Sequence, residues 1–156
     1  MKEMLLTVEL VPQSSWMNNV RAVLTAAQWN AVRIRVCDAA YNVCQICGGV
    51  GPKHPVECHE IWDYNDKTLV QKLTGMLSLC PACHRVKHIG FAQVQGKGEQ
   101  ACRHLMKING FSKKEAEKYI ANAFVIWKNR SQQQWTLDLS LLKEYGIDPN
   151  KLKERK

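Results

Sequence analysis

The sequence has no apolar run close to the 20 or so residues that a membrane-spanning helix needs. Its first residues, Met1-Lys2-Glu3-Met4-Leu5-Leu6, hold too short an apolar stretch for a secretory leader, and Glu9 soon interrupts it. With no export signal and an odd number of cysteines, seven, a disulfide framework is not expected, and a reducing, cytoplasmic setting is. Internal repeats and low-complexity linkers are also missing, so the 156 residues are read as one domain, 1–156. Acidic side chains are scarce: 14 stand against 22 lysines and arginines, for a net charge of +8. That imbalance favours a polyanionic partner, because each neutralised phosphate releases counterions. The 46% of hydrophobic residues is enough for a packed core.

Local patterns predict a mainly helical chain with short strands. Leu5–Val11 reads as a strand stopped by Pro12, and Ser14 or Ser15 as the cap of a helix from Trp16 to about Leu24. Thr25-Ala-Ala-Gln28 has the form of a capping box for a helix over about 26–40, with Trp29, Val32 and Val36 on its apolar face. Val56–Trp62 reads as a strand, Asp63–Asp66 as a turn, and Lys67–Met76 as loop or short helix. The stretch Gly51-Pro52 to His54-Pro55 marks a loop. A helix beginning near Pro81 is expected to carry His84 and His88 and to end at Gly90. The C-terminal third offers a helix over 99–108 and a second one, opened by the capping box Ser112-Lys-Lys-Glu115, running to about Arg130. On that helix Ala116, Ile120, Ala123, Phe124 and Trp127 form a stripe read as core. Trp135–Leu139 reads as a strand that would pair with the N-terminal one, Ser140 caps a short helix ending at Gly146, and Lys151–Lys156 is a solvated tail.

The cysteines carry the first chemical signal. Cys44-Gln-Ile-Cys47 and Cys80-Pro-Ala-Cys83 are two C-x-x-C turns, and each can fold back to present two thiolates to one ion. A tetrahedral structural Zn2+ is therefore predicted at Cys44, Cys47, Cys80 and Cys83. A thioredoxin-like redox site would need only one such turn, in a βαβ setting. Cys37 and Cys102 fall in helical patterns and read as small buried side chains.

Histidines supply the second signal. Glu57-Cys58-His59-Glu60 lies between the cysteine pairs, His84 follows Cys83 directly, and His88 is four residues further on. Two imidazoles at that spacing share one helical face and can hold one divalent ion. Strand alternation sets His59 on one face and Cys58 and Glu60 on the other.

Taken together, Cys44-Gln-Ile-Cys47, Glu57-Cys58-His59-Glu60-Ile61 and Leu79-Cys80-Pro-Ala-Cys83-His84 with His88 resemble the HNH endonucleases of the ββα-metal fold. The resemblance spans about residues 41–92 and implies an α+β fold: an HNH core with a structural zinc, an N-terminal helical extension (1–40) and a C-terminal one (93–156). It implies that His84 and His88, with His59, hold a catalytic divalent ion such as Mg2+ or Mn2+. It further implies that DNA phosphodiesters are hydrolysed, with the ion stabilising charge on the phosphate and leaving oxygen. One register makes His59 a ligand and Glu60 the general base. The register one residue away makes His59 the base and puts Cys58 on the metal side. Arg85 and Lys87, on the same short helix, are candidate phosphate contacts. DNA is the partner implied, within a bacterial or phage-infected cell. The alternative is a non-catalytic zinc module on the same scaffold that binds nucleic acid or a protein, as an inhibitor would.

Overall fold

A computed structural model describes residues 4–51 and 55–152. His54 and residues 153–156 of the charged tail lie outside the described residues, as do Met1–Glu3. The chain is α+β: a three-stranded sheet with helices packed on both its faces. In chain order the elements are α1 (Val20–Val23), α2 (Ala26–Ala39), β1 (Glu57–Asn65), β2 (Val70–Leu79), α3 (Pro81–Lys87), α4 (Ile89–Val94), α5 (Gly98–Asn109), α6 (Lys113–Arg130) and β3 (Thr136–Asp138), with 3-10 turns at Gln13–Ser15, Ser140–Tyr145 and Pro149–Lys151.

Side-chain caps fix most helix starts. Thr25 and Gln28 close a reciprocal capping box at α2, and Ser112 and Glu115 close another at α6. Gly110 ends α5 in the left-handed conformation, where a side chain would be strained.

β1 and β2 form an antiparallel hairpin, and β3 joins β2 in parallel. Asn65 makes the hairpin turn, its Oδ1 accepting from the backbone N–H groups of Lys67 and Thr68 at 3.0 Å. β1 therefore runs three residues past the predicted strand end at Trp62, into the predicted turn, and the segment read as loop or short helix is mostly strand β2. A register shift between Ile61 and Trp62 breaks the strict alternation of β2, which obscures its strand pattern in the sequence.

The sheet separates two apolar clusters. Leu77 and Leu79 face one, with Leu6, Val86, Ile89, Leu105 and Ile120. Leu73, Met76, Cys58 and Trp62 face the other, with Val20, Val32, Val36 and Leu142. Cys37 is buried, as expected, and Cys102 is half-buried.

Three expectations are corrected near the termini. Leu5–Val11 is not a sheet strand but an extended segment whose backbone is served by other elements. Asn109 Oδ1 accepts from Leu5 and Leu6 N–H at 3.1 and 2.8 Å, and Asn109 Nδ2 donates to the Leu6 carbonyl at 2.7 Å. Tyr119 Oη accepts from Val8 N–H, and the Lys87 carbonyl accepts from Glu9 N–H. With those groups satisfied, no second strand is needed, so β3 pairs with β2 instead. No helix starts at Trp16: a 3-10 turn ends at Ser15, and α1 is capped four residues later by Asn19, whose Oδ1 accepts from Ala22 N–H.

Candidate functional site

The four predicted cysteines converge. Cys44 and Cys47 come from the turn after α2, Cys80 from the end of β2 and Cys83 from the first turn of α3, and their Sγ atoms all lie within 4.8 Å of one another. The Cys47–Cys80 sulfur distance is 3.6 Å, against about 3.8 Å between ligands on a tetrahedral ion with Zn–S bonds of about 2.3 Å. Backbone N–H groups point at these sulfurs: Cys47 N–H at Cys44 Sγ, Gly49 N–H at Cys47 Sγ and Cys83 N–H at Cys80 Sγ, at 3.4–3.5 Å. The Cys80 sulfur is thereby also the N-cap of α3. Burial and mutual repulsion push the Cys83 and Cys80 thiols up, whereas backbone N–H groups outweigh burial at Cys44 and bring it down to about 7. A dication removes the repulsion among such crowded thiolates, so the cluster can hold a metal ion such as zinc. His104, on α5, adds a partner that sequence reasoning missed: its Nε2 lies 3.2 Å from Cys83 Sγ.

A second group forms from His59 on β1, His84 on α3 and His88 at the break between α3 and α4. Their ring centroids are 5.0–5.3 Å apart and one ligand atom from each lies within 4.8 Å of the others. The expected helix to Gly90 is interrupted: α3 ends at Lys87, and His88, with φ −111° and ψ 48°, is where the chain changes direction into α4. Despite that break, His88 meets His84. Burial pushes the His59 imidazole down, and burial with the neighbouring imidazoles takes His88 to about 4. Both are therefore neutral near pH 7, the form that offers a nitrogen lone pair to a metal.

Glu9, invisible to sequence patterns, anchors this group. Its Oε1 is 3.2 Å from His59 Nε2, which leaves Nδ1 as the other ring nitrogen. Its Oε2 is paired with Lys87 Nζ, which also donates to Thr7 Oγ1 at 2.6 Å. Burial raises the Glu9 carboxyl, but the hydrogen bonds and charges of His59 and Lys87 prevail and hold it at about 2. Lys87, expected to contact phosphate, is therefore turned inward and only 3% exposed. The cause is that a buried ammonium needs a carboxylate beside it, and Glu9 supplies one. Arg85 is half-buried and lines a smaller hollow beside His84 and His88. Glu57 approaches the third imidazole, with Oε2 3.5 Å from His84 Nδ1.

Glu60 leaves the strand on the opposite face. Its Oε1 accepts from Val20 N–H at 2.6 Å, at the start of α1. Burial pushes it up against the Val20 and Arg21 N–H groups, to about 7. Cys58, on that same face, packs into the second apolar cluster, and burial raises it to about 12. It is absent from the histidine group.

His59, Glu60, His84 and His88 all line one cleft of about 1170 Å3. No family model, curated protein or solved structure matches the chain.

Proposed function

We propose that the chain is a metal-dependent endonuclease or nickase of the HNH type that hydrolyses DNA phosphodiester bonds. One observation carries the reading: three imidazoles, from β1, α3 and the residue that ends α3, converge in a large cleft, beside a cluster of four cysteines. The order β1, β2, α3, with cysteine pairs before the hairpin and at the start of the helix, supports a ββα-metal core. His59, His84 and His88 would hold the ion. Their donor set suits Mn2+, Ni2+ or Zn2+ better than Mg2+, which prefers oxygen ligands. A bound ion would supply Lewis-acid stabilisation of charge on the scissile phosphate.

The chain's own residues supply the rest. Glu9 fixes the His59 ring by holding Nε2, as carboxylate partners of ligating histidines do. Glu60, balanced near neutrality in the same cleft, can take a proton from an attacking water at pH 7. Arg85 stands beside His84 to meet a neighbouring phosphate.

The test is plasmid cleavage by the purified protein with Mn2+, Ni2+ or Mg2+. Nicking that disappears in His84→Ala is the expected result, and plasmid that stays supercoiled under every condition refutes the reading. One observation favours the second reading, a non-catalytic zinc module that binds nucleic acid or protein: the Glu60 carboxylate is tied to Val20 N–H rather than free at the histidines. Salt-sensitive DNA binding without cleavage selects that alternative.

A further inference from the structure

The cleft above the histidines has a wall that the chemistry of phosphodiester hydrolysis does not use. Trp16 and Trp127 stack there, with ring centroids 6.4 Å apart and planes 25° from parallel. Both indole N–H groups donate to the same acceptor, the Val11 carbonyl, each at 2.9 Å. One oxygen thus fixes both rings, and their only polar handles are spent on it. Trp16 still remains 55% exposed. A large aromatic plate held in one orientation, yet left uncovered, has lost its rotational freedom without gaining full burial. Phe91, 64% exposed, lines the same cleft, and so does the exposed cation Arg21.

We infer that this shelf binds an unpaired stretch of DNA, a base lying flat on Trp16 while its phosphates meet Arg21 and the wider positive charge of the chain. The inference deepens the endonuclease reading and takes from it only the identity of the polymer. Its physical basis is that an aromatic face can receive a base only where that base is not already covered by neighbours in a duplex. The net charge of +8 complements a phosphate backbone, whereas it gives an apolar peptide no advantage. The cleft, at about 1170 Å3, exceeds the ~300–1,000 Å3 of small-molecule pockets and so has room for more than one nucleotide. Single-stranded, gapped or flapped DNA is then the substrate class, with the strand led past Trp16 toward His59, His84 and His88.

The experiment measures equilibrium binding of the full chain carrying His84→Ala, so that cleavage does not intervene. The probes are a labelled thymidine oligonucleotide, a duplex of equal length, an abasic oligonucleotide of equal charge and a uridine oligoribonucleotide. The expected result is that the thymidine strand binds at least about tenfold tighter than the duplex and the abasic strand and quenches tryptophan fluorescence. Trp16→Ala weakens that binding by about tenfold and leaves duplex binding and bound metal unchanged, while Trp16→Phe keeps most of it. Equal affinity for the abasic strand, equal or tighter binding of the duplex, tighter binding of the uridine strand, or no effect of Trp16→Ala overturns the inference. If Trp16→Ala fails to fold, the comparison of oligonucleotides on the otherwise unchanged protein decides alone. Single-strand binding by a parent protein that cuts neither plasmid nor single-stranded or gapped DNA with Mn2+, Ni2+ or Mg2+ overturns the nuclease reading and leaves this one standing. Cutting of duplex with no single-strand preference does the reverse.

Discussion

Replacing Glu9 by glutamine removes the charge that compensates Lys87 while nearly preserving shape. Lys87 is 3% exposed and cannot swing to solvent without opening the segment that crosses it. Breaking a buried pair from one side costs about 3–5 kcal/mol, because the remaining charge is stranded. Holding the Glu9 carboxyl at about 2 instead of its ordinary 4.5 corresponds to about 3 kcal/mol at ~1.36 kcal/mol per pH unit, shared between the His59 hydrogen bond and Lys87, both of which Glu9→Gln weakens. The sign follows from that depression. The contribution is complete above pH 4.5, where the unfolded chain's carboxyl is also ionised, and fades as pH falls toward 2. Urea unfolding at pH 7 is the assay. Glu9→Gln should lose about 3 kcal/mol, and the gap from the parent protein should narrow steadily below pH 4.5. Adding Lys87→Met to Glu9→Gln should recover more than half of the loss, because the double variant strands no charge. A loss below about 1 kcal/mol, or a double variant no more stable than the single one, refutes the buried-pair account.

Two further outcomes follow from other contacts. His104→Ala removes the ring beside Cys83 Sγ and should weaken zinc binding by about 10–100-fold without changing its one-to-one stoichiometry with the cysteine cluster, read by competition with a chromophoric chelator. Asn109→Ala removes three hydrogen bonds that hold Leu5 and Leu6 and should cost about 2–3 kcal/mol, with amide exchange accelerating first at Leu5 and Leu6.

What could be read from the sequence was local. The cysteine turns, both capping boxes and Gly110 act within a few residues, so spacing alone was enough to place them. The convergence of His84 with His88 was anticipated on helical spacing, and the His88 N–H still donates to the His84 carbonyl, so that turn is kept although α3 ends at Lys87. Glu9 stayed hidden because its partners are 50 and 78 residues away, and an isolated acid in an apolar segment carries no pattern. β2 was missed for a different reason. Gln71, Lys72, Thr74 and Gly75 dilute its apolar residues, and the register shift opposite Ile61 erases the period of two. The N-terminal segment has the composition of a strand, but side chains of α5 and α6 supply the partners that a neighbouring strand would otherwise have offered.

The double duty of Cys80 ties the cysteine cluster to the helix that carries His84. The same sulfur that belongs to the four-cysteine cluster also receives the Cys83 N–H, in the first turn of the helix carrying His84 and leading into His88. An ion drawing Cys80 into place therefore sets the axis of α3, and with it the spacing of two imidazoles. Were the histidines to hold the proposed ion, occupancy of the two clusters would be thermodynamically linked: whatever affinity the histidine nest gained from a filled cysteine site, the cysteine site would gain equally from a filled nest. If the proposed histidine site takes an ion, protein stripped at the sulfurs should take it up more weakly, so metal content at the cysteines would be a hidden variable in any comparison of preparations.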